Sequence, residues 1–196
     1  MSNSIEYTYQ HTCQKGQHAY ILKSSPFISI KKKSKDGNWK IPFLGEGYYL
    51  WEENIEAAIR WGEKHYHNKY CVVEYQDVKI EGDDLLDFLN RRDMRYFNEL
   101  KQIYVCKNPK CKDWVEGKWI EFLKNINKIE KNIFPFNFIR AEENFPNSKE
   151  NDLIKNKIYF AEEVGHYTFS SPLLMICVID KKKLTFKKEA VIKESA

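Results

Sequence analysis

The chain has no long apolar run, no cysteine framework and few arginines. Its longest apolar stretch, Leu173-Leu174-Met175-Ile176-Cys177-Val178-Ile179, is seven residues. A bilayer-spanning helix needs about 20, so no membrane contact is expected. The opening MSNSIEYTYQ holds no apolar core segment, so no signal peptide is expected. Five cysteines (Cys13, Cys71, Cys106, Cys111, Cys177) are odd in number and scattered, which points to a reducing cytoplasm rather than a disulfide scaffold. Only Cys106 and Cys111 lie close, and no nearby His adds the further ligands of a zinc site. His65 and His67, two apart, would leave a helix on different sides. No metal is expected.

Arginine is confined to Arg60, Arg91, Arg92, Arg95 and Arg140 among 32 basic residues. Lys is a mobile point charge where Arg grips phosphate or carboxylate with two bonds. The runs Lys31-Lys32-Lys33 and Lys181-Lys182-Lys183 therefore read as solvated turns and strand ends. A net charge of +4 permits contact with anions without arguing for it. What is present suits one domain over residues 1–196: the chain is 42% hydrophobic and 15% aromatic, enough for a core.

Alternating β-branched and aromatic residues from Ile5 to Cys13 predict a first strand. Phe27–Ile30 reads as extended, Lys35-Asp36-Gly37-Asn38 as a turn, and Gly47–Trp51 as a short strand. Asn54 caps a helix whose buried stripe is Ile55, Ala58, Ile59, Gly62 and Tyr66, with Trp61 off the stripe. Tyr70–Tyr75 is a strand. A helix is expected from Asp84 to about Tyr104, with Leu85, Leu89, Tyr96, Leu100 and Ile103 on one side and Asp93 as an interruption. Another should run from Asp113 to Asn127, burying Trp119, Phe122, Leu123 and Ile126 with Trp114 or Val115. Phe134–Phe138 is aromatic and irregular, and Asn144–Lys157 reads as a loop. Ile158–Ala161, Leu173–Asp180 and Leu184–Lys187 complete the strands. The fold class is α+β, with strands at both ends and helices between.

Gly45-Glu46-Gly47 sets two residues without side chains against Tyr48-Tyr49. A flat ligand laid against the backbone is one use of that arrangement, and a turn into a core strand is the other. The first strand ends in His11-Thr12. Gly45-x-Gly47-Tyr48-Tyr49 follows, and then the helix Ile55-Glu56-Ala57-Ala58-Ile59-Arg60-Trp61-Gly62. This order, over about residues 7–66, resembles the ADP-ribosyltransferase superfamily. The branch is that of poly(ADP-ribose) polymerases, diphtheria-type toxins and small bacterial relatives.

The resemblance implies split antiparallel β-sheets with intervening helices, and an enzyme that takes NAD as substrate. Such an enzyme cleaves the nicotinamide–ribose bond and passes ADP-ribose to a macromolecular acceptor, protein or nucleic acid, or to water. It implies that His11 binds the ribose and Tyr49 stacks on nicotinamide. Thr12 presents backbone groups to the carboxamide, Gly45 and Gly47 let the strand approach NAD with Tyr48 alongside, and Trp61 forms a second wall. Bond cleavage leaves positive charge on the sugar, so aromatic faces hold the leaving group while a carboxylate steadies the ribose. The family's carboxylate starts a late strand, where this chain has Leu174 or Met175. Glu162 and Glu163 are the nearest acids, and Glu163 is the expected catalytic residue. Thr12 and Cys13 also depart from the family's Gly and Ser/Thr after the His.

Two alternatives stand beside this reading. One is a catalytically weak or inactive NAD- or ADP-ribose-binding module, suggested by Met175. The other is a helical interaction module presenting Trp114, Trp119 and Phe122 to a protein. Arg91-Arg92-x-x-Arg95 would serve a nucleic-acid acceptor. A toxin, an immunity effector and a housekeeping modifier share these features.

Overall fold

Strand-forming residues dominate both ends of the chain, and in the computed structural model they meet in one sheet. The structure describes residues 4–67, 69–143, 157–159, 167–169 and 172–195. In chain order the first elements are β1 (Ser4–Gln14), α1 (His18–Ser24), β2 (Ile28–Ser29), β3 (Lys32–Lys33), β4 (Trp39–Lys40) and β5 (Gly47–Glu52). Then come α2 (Ile55–Tyr66), β6 (Tyr70–Glu81), β7 (Leu85–Asp87), α3 (Arg91–Lys107) and α4 (Glu116–Ile129). The last are β8 (Phe138–Glu142), β9 (Lys157–Tyr159), β10 (Tyr167–Phe169), β11 (Leu174–Val178) and β12 (Lys188–Glu194).

The main sheet runs β12-β6-β1-β5-β11-β8-β7, with β2 also on β5, while β3–β4 and β9–β10 form separate pairs. Every pairing is antiparallel except β7 with β8. This is a mixed arrangement of the α+β kind. Among the described residues, no helix is long and apolar enough to cross a membrane.

Period-two alternation sends neighbouring residues to opposite faces, which gives the sheet two cores. One face buries Tyr9, Leu50, Val73, Phe138 and Ile176 with Ile21 of α1. The other buries Trp51, Val72, Ile139, Met175 and Cys177 beneath Ala58 of α2, Phe97 of α3 and Trp119 of α4.

Helix α2 begins where the sequence places it. Asn54 Oδ1 accepts from the Ala57 N–H at 2.9 Å, and Glu56 sits at the positive end. Ala57, Ala58 and Gly62 form its buried face. Ile55, placed on the buried stripe by its spacing, is exposed. A side chain at Gly62 would come within 2.4 Å of the Tyr70 ring, so glycine lets α2 lie against β6.

Several elements differ from expectation. The Asp84–Tyr104 helix is really a short helical turn, strand β7 and then α3, because Asn90 caps at the Arg92 N–H. Asp93 does not interrupt α3; its carboxylate accepts from the Asp87 N–H and ties the first turn to β7. Leu85 is buried on the strand, while Leu89 and Ile103 are exposed. Phe138–Glu142, of which only Phe138 fell in the stretch read as irregular and the rest carried no strand expectation, is an inner strand between β7 and β11. The last strand is Lys188–Glu194; in Leu184–Lys187 only Thr185 makes a bridge, to Lys79. Helix α1 carries no capping signal and went unanticipated. Strand β6 runs on past Tyr75 to Glu81.

Candidate functional site

Strands β1 and β5 touch only briefly. Their register pairs are Tyr9 with Glu52 and Gln10 with Trp51. Beyond them β5 takes β2 as its partner, at Tyr48 and Gly47. His11 stands where the partner changes. Its Nδ1–H donates to the Tyr49 carbonyl at 2.9 Å, and its Nε2 accepts from the Phe27 N–H at 3.0 Å. The imidazole thus occupies the place of a peptide group in a ladder, tying β1 to β5 and to the residue before β2 at the point where β5 changes partner. Burial, more than the bond to Tyr49, sets its proton affinity and holds the pKa down at about 4. His11 is neutral near pH 7.

Around this divergence opens a cleft of about 590 Å³. His11 and Thr12 of β1, Tyr49 and Trp51 of β5, and Trp61, His65 and Tyr66 of α2 contribute walls. Phe27 and the β3–β4 hairpin, through Lys32 and Lys40, add another side, and Met175 and Glu143 close it from β11 and the end of β8. Cavities of about 300–1,000 Å³ with aromatic walls and a few polar groups are the usual form of small-molecule sites.

Four of the residues singled out from the sequence converge here: His11, Thr12, Tyr49 and Trp61. Tyr49 is firmly set. Its hydroxyl donates to the Gly45 carbonyl at 2.6 Å and accepts from the Leu44 N–H at 2.8 Å. Burial foremost, and then the Cys177 thiol, keep that hydroxyl protonated. Its ring is therefore a fixed wall rather than an acid or base. Thr12 turns its hydroxyl to the Ala58 carbonyl, at 2.7 Å, which pins β1 to α2. Trp61 stacks on His65 with ring centroids 3.9 Å apart. His65 is exposed and forms part of the cleft wall.

Gly45, Gly47 and Tyr48 do not line the cleft. Gly45 closes a turn with φ +82°, and a side chain there would come within 2.6 Å of Glu121 Oε1. At Gly47 it would meet Cys177 Sγ at 2.4 Å and the Val178 carbonyl at 2.8 Å. These glycines admit α4 and β11, not a ligand. Glu121 and Lys124 complete the clamp, bonding the Glu46 N–H and carbonyl at 2.7 Å each. Tyr48 packs on the opposite face, beneath Lys181.

Glu162, Glu163 and His166 lie outside the described residues. Met175 is buried and lines the cleft. Glu143 went unnoticed in the sequence because its strand did, though the doublet Glu142-Glu143 after Phe138-Ile139-Arg140-Ala141 was its only signal. Burial raises its carboxyl pKa to about 7, against a lowering by the Lys64 charge. Trp119 is fully buried, with Trp114 tilted against it and Phe122 packed edge-on, so the helix does not present them to a partner. Arg91, Arg92 and Arg95 are exposed on α3, where Arg91 and Arg95 flank a shallow groove away from the cleft. Among the described residues, no group of three or more His, Cys, Asp or Glu is placed to hold a metal ion. Comparison with models of known protein families, with curated proteins and with solved structures finds no match for the chain, so the site stands on its geometry.

Proposed function

We propose that the cleft binds NAD and that the protein is an ADP-ribosyltransferase-like enzyme, releasing nicotinamide and passing ADP-ribose to a macromolecule or to water. One observation carries this reading: His11, Thr12, Tyr49 and Trp61, far apart in sequence, line a single cleft where β1 leaves β5. The locked ring of Tyr49 and the indole of Trp61 suit a flat leaving group. Lys32 and Lys40 supply cationic charge for a pyrophosphate. β1 and β5 pair at two positions and then part within one continuous sheet, so the split sheets that the resemblance implies are present only as this local divergence.

The test is nicotinamide release from NAD by purified protein, with Trp61→Ala alongside. Trp61 is the better probe because it is half-buried on a helix surface. His11→Ala would also unpair the Phe27 N–H and the Tyr49 carbonyl. Release by the wild type, reduced at least tenfold in Trp61→Ala, supports the reading. Neither release nor NAD binding by the wild type overturns it.

A second reading, an NAD- or ADP-ribose-binding module without turnover, has its own support. Met175 occupies the cleft wall where the resemblance expects a carboxylate, and both nitrogens of His11 are engaged by backbone. NAD affinity without nicotinamide release would favour it.

A further inference from the structure

Among the described residues, buried carboxylate oxygens find partners, with one exception. Glu52 receives Arg140 and the Tyr9 hydroxyl, Asp87 receives Arg140, and Glu121 receives Lys124 and the Glu46 N–H. Glu143 Oε2 is shut off from solvent and has no hydrogen-bond partner, alone among buried side-chain oxygens of the described residues. Such an atom is costly unless something completes it. Its backbone is well fixed, since the Glu143 N–H donates to the Leu173 carbonyl at 2.8 Å and extends β8 along β11. Ala141 pairs with Met175, so two residues on Glu143 returns to the face of Met175, toward α2. Glu143 lines the same cleft as His11, Tyr49 and Trp61.

We propose that Glu143 is the proton-accepting carboxylate of this cleft, carried one strand over from the position that Met175 fills. The inference rests on the NAD reading given above. With water as acceptor, the bond between nicotinamide N1 and ribose C1′ breaks and its electron pair leaves with neutral nicotinamide. Positive charge stays on C1′ and the ring oxygen. Water oxygen bonds to C1′, and its proton passes to Glu143. The products are ADP-ribose, nicotinamide and one proton, which Glu143 later returns to solvent.

The charged surroundings of Glu143 fit a group that must change protonation state. Lys64 of α2 draws it toward ionisation, His65 of α2 shares the cleft, and β11 contributes the apolar Met175 to the same wall. Its ionised form gains ground as pH rises through about 7.

The experiment compares wild type, Glu143→Gln and Glu143→Asp in NAD binding by calorimetry and in nicotinamide release from pH 6 to 8.5. The expected result is NAD affinity within threefold of wild type in Glu143→Gln, with release reduced about 10²–10⁴-fold, the range of a lost acid–base group. Release by wild type should climb through pH 7, and Glu143→Asp should restore part of it. Measurable NAD binding shows that a variant is folded. Wild-type release rates in Glu143→Gln overturn the assignment and leave the NAD reading standing. Binding without release in the wild type also overturns it, in favour of the non-catalytic module. A wild type that neither binds nor releases overturns the NAD reading and this inference together.

Discussion

Acidification should destabilise the protein through one residue, His11. In the folded chain its Nε2 faces the Phe27 N–H and its Nδ1 is already a donor to Tyr49. Protonation would set two donors against each other in a site without solvent. The folded pKa is held at about 4 by burial, against the ordinary 6.5. The unfolded chain therefore takes up the proton first as pH falls. Stability tied to His11 is full above pH 6.5, declines between 6.5 and about 4, and is constant below. At about 1.36 kcal/mol per pH unit, the gap corresponds to about 3 kcal/mol. Glu143 acts in the opposite sense. Its folded pKa is raised, so its contribution is present at low pH and is lost as pH rises through about 7. Urea unfolding of wild type and His11→Asn, at half-unit steps from pH 4 to 7.5, separates the two, because Glu143 is common to both proteins. The difference between the curves should shrink by about 3 kcal/mol toward pH 4. Parallel curves across pH 4.5–6.5 would refute the buried, doubly bonded imidazole.

Four other predictions concern the frame of the fold and the exposure of its thiols. Gly47→Ala forces a methyl against Cys177 and the Val178 carbonyl, and should cost about 1–3 kcal/mol in urea unfolding. Trp119→Ala, at a fully buried position, should cost about 3–5 kcal/mol. Val115→Ala, 70% exposed at the start of the same helix, should change stability by less than about 0.5 kcal/mol. A thiol reagent should modify Cys106 rapidly in the native protein, and all five cysteines only after denaturation. Rapid reaction of Cys13 or Cys71 would contradict their burial between β1 and β6.

Much of the site was legible because it is local. Alternation marks β1, the Asn54 cap marks α2, and Trp61 reads as off the buried stripe from helical spacing alone. Such signals need only a few neighbouring residues. The glycines were legible as a site of close approach but not as to what approaches. A sequence shows that Gly47 has no side chain; only the fold shows that Cys177, 130 positions later, occupies the space. Strand β7 was lost inside a helical pattern because Leu85 and Leu89 share helical spacing, although β8 recruits Leu85–Asp87 into the sheet.

The two residues most telling for chemistry were obscured by the same kind of non-local pairing. His11 is an ordinary strand histidine until Phe27 and Tyr49 arrive on either side of its ring. That bridge also limits it. While both nitrogens serve the backbone, His11 shapes the cleft and fixes Tyr49, and on the proposed NAD reading the ribose would have to find its polar partner elsewhere or displace the Phe27 N–H. Glu143 has that capacity, whereas Thr12 spends its hydroxyl on α2 and Tyr49 its own on Leu44 and Gly45. The cleft thus sets one aromatic wall held rigid by hydrogen bonds, Tyr49, beside one buried carboxylate oxygen held by none.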